Sequence, residues 1–109
     1  MTDLKRFEYV LALSECMNFS RAAAQLNISQ STLSQYIQKI EKEIGVNLFD
    51  RSATPLRLTQ YGEIYVKGAR KIMDAYSETL DSIVDADSGA GGTIRIGMSP
   101  SRAIFLMPQ

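Results

Sequence analysis

The sequence predicts a mainly α-helical chain with three short helices, a two-stranded hairpin and one long final helix. Apolar residues recur at helical spacing through residues 3–44 and again through residues 60–86. Asn and Gly stand where helices must end, and a turn containing Pro separates two short apolar runs. With 109 residues, 45% of them hydrophobic and 22% charged, the composition is that of one globular domain and the start of another.

The composition argues against several kinds of site. His is absent, which removes the usual general base and the commonest metal ligand, and one cysteine, Cys16, can build neither an intrachain disulfide nor a zinc site. Gly89, Gly91 and Gly92 lie in a Ser/Gly/Ala stretch and not in a phosphate-binding loop. We therefore expect no enzyme, no metal and no cofactor. The N-terminus lacks a signal peptide's apolar stretch, and no apolar run of about 18 residues is present, so we expect no membrane partner. The single cysteine fits a reducing cytoplasm, which is the predicted location.

The formal net charge is zero, but the charges are unevenly distributed. Residues 1–71 carry ten Lys and Arg and seven acidic residues, whereas the remainder carries two basic and five acidic residues. The zero net charge argues weakly against nucleic acid, and the positive excess of three at the front of the chain is mild and also common by chance.

The first two predicted helices are short. The first, about residues 3–16, carries apolar side chains at Leu4, Phe7, Val10, Leu11 and Leu13. After a break at residues 18–19, the second helix, about residues 20–27, is expected to begin with Ser20 as its N-cap. It ends at Asn27, because Asn tolerates the left-handed conformation found at helix ends. Its three consecutive alanines let another helix approach closely.

The third helix, about residues 30–44, follows Ser29 as its N-cap and stops at Gly45. Its buried face is expected to carry residues spaced four, three and four apart, which are Leu33, Ile37, Ile40 and Ile44. Two helices joined by such a short turn, the second of them long, form the helix-turn-helix arrangement.

A small hairpin, or wing, is predicted next. Residues 46–49 read as one strand, residues 52–55 as a turn and residues 56–58 as the returning strand. Thr59 then caps a long helix at about residues 60–86. The fold class predicted is therefore a winged helix-turn-helix with a two-stranded wing, followed by a long linker helix.

The long helix carries an extended apolar seam with members three or four residues apart: Tyr65, Ala69, Ile72, Tyr76, Leu80 and Ile83. At about 1.5 Å per residue this helix would be roughly 40 Å long, too long for so small a domain to cover its stripe. A second copy of the chain is the simplest cover, which predicts a homodimer. The alternative is packing against a part of the protein that this sequence does not contain.

Three segments follow from these elements. A winged helix-turn-helix domain is expected at residues 1–59 and a linker and dimerisation helix at residues 60–87. Residues 88–109 read as a linker and the first strand of a missing domain, because residues 93–98 alternate between polar and apolar and have no partner strand in this sequence.

The front of the third helix carries short hydrogen-bonding side chains at Gln30, Ser31, Ser34 and Gln35, with Tyr36 and Gln38 as weaker candidates. The major groove of DNA admits one α-helix by its N-terminal end and presents donors and acceptors that Gln and Ser can match. We therefore expect base readout by the first four. A solvated helix face is the alternative, and the short preceding helix, tight turn and hairpin favour DNA binding over it.

Basic residues flank this surface. Arg21, in the first turn of the second helix, is expected to contact a phosphate, with a surface ion pair as the alternative. Arg51 and Arg57 flank the wing tip, where Arg suits phosphates or the minor groove. Arg51 could instead pair with the preceding aspartate or with a Glu of the third helix. Lys39 and Lys42 face either the DNA backbone or nearby acids.

The stretch "FSRAAAQLNISQSTLSQYIQKIEKEIGVNLFDR", followed by "LRLTQYGE", resembles the N-terminal DNA-binding domain of LysR-type transcriptional regulators. The resemblance covers about residues 3–86. It implies a winged helix-turn-helix, a linker helix that pairs two subunits, and tetramers formed with effector domains. It also implies an activator or repressor that binds double-stranded DNA and responds to a small-molecule effector.

The resemblance also implies roles for individual residues. The family's base-reading positions fall on the four residues of the third helix named above, and its backbone-contacting positions fall on Arg21 and Arg51. Ser99 and Ser101 fall near a strand-end loop that lines the effector cleft of the family's second domain, most of which is missing from this sequence.

Several positions depart from the family pattern. Ser31 stands where Pro is usual, Thr32 where Ala is common, and Ile40 and Ile44 where Leu is usual. Gln35 stands where a basic residue is frequent, and the lost charge should weaken the attraction to phosphate and change the preferred base. The family's base preference is therefore not transferable to this chain.

Two other functions were weighed. A protein-interaction module, in which the long helix serves assembly alone, is favoured by the neutral overall charge. An enzyme would depend on Cys16 as a nucleophile without a His partner, which makes it the weaker alternative.

Overall fold

The computed structural model describes residues 3–91. Its helices are α1 (Asp3–Cys16), α2 (Phe19–Leu26), α3 (Gln30–Ile44) and α4 (Gln60–Gly91), and its strands are β1 (Phe49–Asp50) and β2 (Arg57–Leu58). The strands form an antiparallel hairpin in which Phe49 lies opposite Leu58 and Asp50 opposite Arg57. This order of elements confirms the predicted mainly α architecture with its wing and long final helix.

The described chain divides into two units within α4. The first unit, which ends at Asp74, contains α1, α2, α3, the wing and the start of α4. The second unit begins at Ala75, and its described part is the remainder of α4.

The cap of α2 differs from the prediction. Asn18, and not Ser20, is the N-cap: it has an extended backbone, and its side-chain oxygen accepts the backbone N–H of Arg21 at 2.8 Å. Asn caps helices as well as Ser does, so α2 begins at Phe19, before the expected start. Asn27 ends α2 in the left-handed conformation with φ of 61°, as predicted.

The bounds and caps of α3 confirm the prediction. The Ser29 hydroxyl accepts the backbone N–H of Thr32 at 3.1 Å. At the other end, Gly45 adopts a φ of 96°, a conformation that glycine adopts without steric cost, and donates its N–H to the Glu41 carbonyl at 2.8 Å.

One apolar core joins the three short helices to the wing and α4. Its buried members are Tyr9, Val10, Leu13, Ala22, Ala23, Leu33, Ile37, Ile40, Leu48, Phe49 and Val66. Full burial of one Leu, Ile or Phe side chain contributes about 1.5–3 kcal/mol, so the stripe on α3 is a major source of stability. The expected burial of Ile44 is wrong, since it is 46% exposed. It is the last residue of α3, and Leu48 and Phe49 fill the core after the chain turns at Gly45.

A buried carboxylate connects α3 to the wing. Glu41 is 6% exposed, and its Oε2 accepts the backbone N–H groups of Leu48 at 2.7 Å and Phe49 at 3.1 Å. Its Oε1 pairs with the guanidinium of Arg51 at 3.0 Å. That guanidinium lies 5.4 Å from the centre of the Phe19 ring, so one network links α3, β1 and the start of α2.

The start of α4 lies against the backbone that leads into β1. Thr59 donates its N–H to the Leu48 carbonyl at 3.0 Å, and its hydroxyl accepts the N–H of Gly62 at 3.1 Å, which confirms Thr59 as the cap. Gly62 is buried at this crossing. A Cβ on Gly62 would overlap the Leu48 carbonyl oxygen and lie 2.8 Å from Leu58 Cδ2. The approach is therefore so close that only glycine fits.

Helix α4 continues to Gly91, past its predicted end at residue 86 and into the segment expected to be a linker. Residues 86–91 contain no Pro, so every residue there can donate its backbone N–H to a helix. The predicted strand at residues 93–98, with Ser99 and Ser101, lies outside the described residues. None of the helices in residues 3–91 combines the length and apolar character that crossing a bilayer requires.

Alanine substitutions at two glycines of α4 should have opposite effects. Gly62→Ala forces a Cβ into the Leu48 carbonyl and should lower the free energy of unfolding by about 2 kcal/mol or more. Gly68→Ala is the matched control, because nothing lies within 4 Å of its added Cβ; it should raise the free energy of unfolding by about 0.5–1 kcal/mol. Urea denaturation measures both, and equal effects would contradict the close crossing.

Removing parts of the carboxylate network should destabilise the fold unequally. Glu41→Ala strands two buried N–H groups and should cost about 3 kcal/mol in a denaturant titration. Arg51→Ala should cost about 1 kcal/mol, because Glu41 keeps both backbone donors and the Arg51 side chain is 34% exposed. Arg57→Ala, the exposed control, should change the free energy by less than about 0.5 kcal/mol. A larger loss for Arg51→Ala than for Glu41→Ala would refute this ranking.

Candidate nucleic-acid interface

The first turns of α3 present polar side chains to solvent. Gln30, Ser31 and Gln35 are exposed and Ser34 is half-buried, while Leu33 on the opposite face is fully buried. The apolar stripe therefore holds the helix on the core, and its polar front remains accessible to a ligand.

Two of the four readout candidates already form hydrogen bonds. Ser20 in α2 donates its hydroxyl to Oε1 of Gln30 at 2.8 Å, and the Ser31 hydroxyl lies 3.3 Å from that of Ser29. Ser20 was expected as a helix cap only; no sequence signal predicts its bond to Gln30, because the bond depends on how α2 and α3 cross. The side chains of the other two candidates have no hydrogen-bond partner within residues 3–91.

The two weaker candidates differ from each other. Tyr36 is half-buried and packs edge-on against Tyr9, with ring centres 4.9 Å apart, so its ring belongs to the domain's own packing. Gln38 is exposed one turn farther along α3.

The predicted cations around α3 are exposed. Arg21, Lys39 and Lys42 have no acidic partner within 4 Å among the described residues, so the alternative ion pairs considered for them are not formed there. The first turns of α2 and α3 contain no acidic residue either. The positive ends of both helix dipoles are therefore not offset by a nearby carboxylate.

The two wing arginines differ in their surroundings. Arg51 pairs with Glu41 of α3, which was one of the alternatives considered, and its charge is balanced within the folded chain. Arg57 is 72% exposed at its side chain, and within residues 3–91 its one acidic partner is Asp50, at a distance of 3.8 Å. Arg57 is therefore the wing cation that is more available to an external anion.

Asp50, the last residue of β1 before the wing turn, has a carboxylate that is stabilised in its ionised form. Its Oδ1 accepts the Ser52 hydroxyl at 2.5 Å and the Ser52 N–H at 3.0 Å. These two bonds, the hydroxyl first, lower the pKa of Asp50 below its ordinary value, and the positive charge of Arg57 adds to the effect. The carboxylate orders the turn after β1 and leaves Arg57 largely in solvent.

The predicted pairing seam of α4 is only partly open. Tyr65 lies against Phe7, with ring centres 5.8 Å apart, and Ala69 is 1% exposed because it is buried within the first unit. The other four members are exposed: Ile72, Tyr76, Leu80 and Ile83.

Three exposed apolar residues of α4 lie outside the predicted seam: Tyr61, Ile64 and Val84. Tyr61 and Ile64 are 46% and 70% exposed, and with Gly68 and Ile72 they follow one helical face in steps of three, four and four. The sequence contained this second stripe, but periodicity alone does not reveal which of two stripes the domain's own core covers.

Cys16 is the single cysteine of the sequence. The Cys16 thiol donates to Oε1 of Gln25 at 3.2 Å. Within residues 3–91, no group of three or more His, Cys, Asp or Glu side chains is placed to hold a metal ion.

Several proteins of known family are similar in sequence to this chain. The family model described as "Bacterial regulatory helix-turn-helix protein, lysR family" matches residues 4–63. The SDS degradation transcriptional activation protein of Pseudomonas sp. is 32% identical over 109 residues, which are 100% of this chain and 36% of that protein. The HTH-type transcriptional regulator XapR of Escherichia coli is 37% identical over 97 residues, 89% of this chain and 33% of that protein. The chain thus spans about a third of the length of the curated relatives it matches.

Solved structures share the fold. The DNA-binding domain of BenM in complex with catB site 1 DNA has a TM-score of 0.74 at 27% identity, covering 84% of this chain and 97% of that one. Vibrio fischeri DarR in complex with DNA has a TM-score of 0.73 at 30% identity, covering 81% of this chain and 30% of that one.

The family match and the folds of these relatives agree with the helix-turn-helix formed by α2 and α3. The match spans more than half of the chain, including the wing and the first turn of α4. The chain therefore belongs to the LysR family of bacterial regulatory helix-turn-helix proteins.

Proposed function

We propose that the chain is the DNA-binding part of a LysR-type transcriptional regulator and reads double-stranded DNA with the start of α3 in the major groove. The observation that carries this proposal is the exposed polar front of α3, held in place by a fully buried apolar stripe. Gln and Ser side chains at a helix N-terminus match the mixed donors and acceptors of base edges.

The polar residues in the first turns of α3 contact the bases. Gln35 is exposed and its amide is unengaged within the described residues, so it has an oxygen acceptor and a nitrogen donor for a bidentate contact. Ser34 and Ser31 supply hydroxyls that suit several bases. Gln30 contributes through the hydrogen bond that it already makes to α2.

The surrounding cations contact the DNA backbone. Arg21 lies in the first turn of α2 and Lys39 on α3, where no acidic partner holds them in the described structure. Arg57 extends from the wing toward the backbone or the minor groove, whose negative potential attracts Arg. Arg51 is the weakest of the four, because Glu41 already balances its charge.

We also propose that two copies pair through α4. Ile72, Tyr76, Leu80 and Ile83 are exposed apolar residues on this helix, and burying them is favourable. The charges along α4 support an antiparallel pair, since a basic segment at residues 67–71 precedes acidic residues at Asp74, Glu78, Asp81, Asp85 and Asp87. Two recognition helices would then read half-sites about one helical turn apart, or multiples of it.

Further properties are proposed for a longer protein that contains the effector domain. They are tetramer formation and small-molecule binding, with Ser99 and Ser101 near the effector cleft. The relatives are transcriptional regulators by name, and we infer a cytoplasmic regulator without catalytic activity.

Selection of bound duplexes from a random pool should yield a preferred site, and two variants should then separate readout from charge. Gln35→Ala should weaken binding to that site by about 1–3 kcal/mol, with little change on random DNA, because it removes a base contact. Arg57→Ala should weaken binding to the preferred site and to random DNA alike, because it removes a phosphate contact. It should also reduce the slope of log affinity against log salt by about 1. Fluorescence anisotropy across a salt series measures both effects.

The wild-type chain provides the reference for this experiment. Its affinity should fall steeply with salt, with a slope of about −0.9 for each phosphate neutralised. A flat salt response, or no retardation of duplex DNA at low salt and high protein concentration, would favour the protein-interaction module over the DNA-binding function.

Pairing through α4 should depend on its exposed apolar stripe. Ile83→Glu places a charge among apolar side chains and should shift the chain from dimer to monomer in sedimentation at tens of micromolar, since burying an unpaired charge is unfavourable. Ser77→Glu adds the same charge to another face of α4 and should leave the dimer intact. A wild-type chain that sediments as a strict monomer would refute pairing through this helix.

A further inference from the structure

One hydrogen bond crosses between the two helices of the helix-turn-helix at the candidate interface. Ser20 is the second residue of α2 and Gln30 the first of α3, and the Ser20 hydroxyl donates to Gln30 Oε1 at 2.8 Å. Asn18 performs the capping of α2, so the Ser20 hydroxyl is free for this second role. Both side chains are exposed, and Gln30 is itself one of the readout candidates.

This bond determines which group Gln30 presents. A serine hydroxyl has one proton, and here that proton goes to the amide oxygen of Gln30. The amide is planar, so engaging its oxygen also orients Nε2, which retains two N–H donors. Gln30 is thereby held as a donor before any DNA arrives, and the entropic cost of ordering its side chain on binding is reduced.

The base edges of the major groove respond differently to a donor of this kind. Guanine presents two acceptors, N7 and O6, to a pair of N–H groups. Adenine presents one acceptor and one amino donor, and the bidentate contact that Gln makes with adenine needs the amide oxygen as acceptor. The Ser20 bond uses one of the two lone pairs of the Gln30 oxygen. Both Nε2 donors, which suit guanine, remain free, whereas the acceptor that adenine needs is reduced to the one remaining lone pair.

We propose that Ser20 is a positioning residue that holds Gln30 as a hydrogen-bond donor and so biases readout at its base pair toward guanine. This inference rests on the proposed function, since it assumes that α3 reads base edges. It adds α2 to the determinants of specificity, through a residue that need not touch a base.

The test compares selection from a random duplex pool by the full 109-residue chain and four variants. Gln30→Ala identifies the base pair that Gln30 reads. At that pair, Ser20→Ala should shift the preference from guanine toward adenine by about threefold to tenfold, because the freed oxygen can accept from adenine, with other positions unchanged. Ser20→Thr keeps the hydroxyl and should retain the wild-type preference. In a Gln30→Ala background, Ser20→Ala should have no additional effect.

A matched control and a stability measurement separate positioning from folding. Ser77→Ala removes an exposed hydroxyl from α4 and should leave the selected site unchanged. The urea midpoint of Ser20→Ala should equal that of the wild type, because Asn18 still caps α2.

Two outcomes would overturn the positioning role alone. One is a uniform loss of affinity for Ser20→Ala on all sequences, which would identify its hydroxyl as a phosphate contact. The other is an unchanged site for Ser20→Ala while Gln30→Ala relaxes the preference. If no protein in the set selects any sequence, base readout by α3 itself fails, and this inference fails with it.

Discussion

The arrangement of this domain depends on one buried carboxylate. Glu41 ends the apolar stripe of α3 and accepts two backbone N–H groups at the entry to the wing. Those donors would otherwise be buried without partners, at a cost of about 1–3 kcal/mol each. Through Arg51 the same carboxylate reaches the ring of Phe19 at the start of α2. The helix α3 is thus anchored at its C-terminal end, away from the polar residues at its N-terminal end that face solvent.

The sequence predicted most of the elements, because local rules determine them. The bounds of α3 follow from Ser29 and Gly45, and its buried face follows from a regular apolar spacing. Prediction failed where two residues could fill one role or where packing decides. Asn18 and Ser20 were both able to cap α2, and Ile44 continued the apolar spacing at a point where the chain had already turned away from the core.

The candidate site was predictable in composition but not in its contacts. The polar front of α3 and the surrounding cations could be named from the sequence, because both depend on helix periodicity and charge. The partner of Arg51 and the bond between Ser20 and Gln30 depend on how separate elements cross, which no local pattern encodes. For the same reason the two apolar stripes of α4 could not be assigned in advance, since one of them is partly covered by the domain itself.

The crossing at Gly62 separates what can vary in this domain from what cannot. The main chain at Leu48 occupies the space that any side chain at this position would need, so the constraint is set mainly by the backbone. It is independent of every residue that faces the proposed DNA surface. With the DNA contacts proposed above, the residues at the front of α3 can change, and the preferred DNA site with them, while the close contact between Leu48 and Gly62 stays the same.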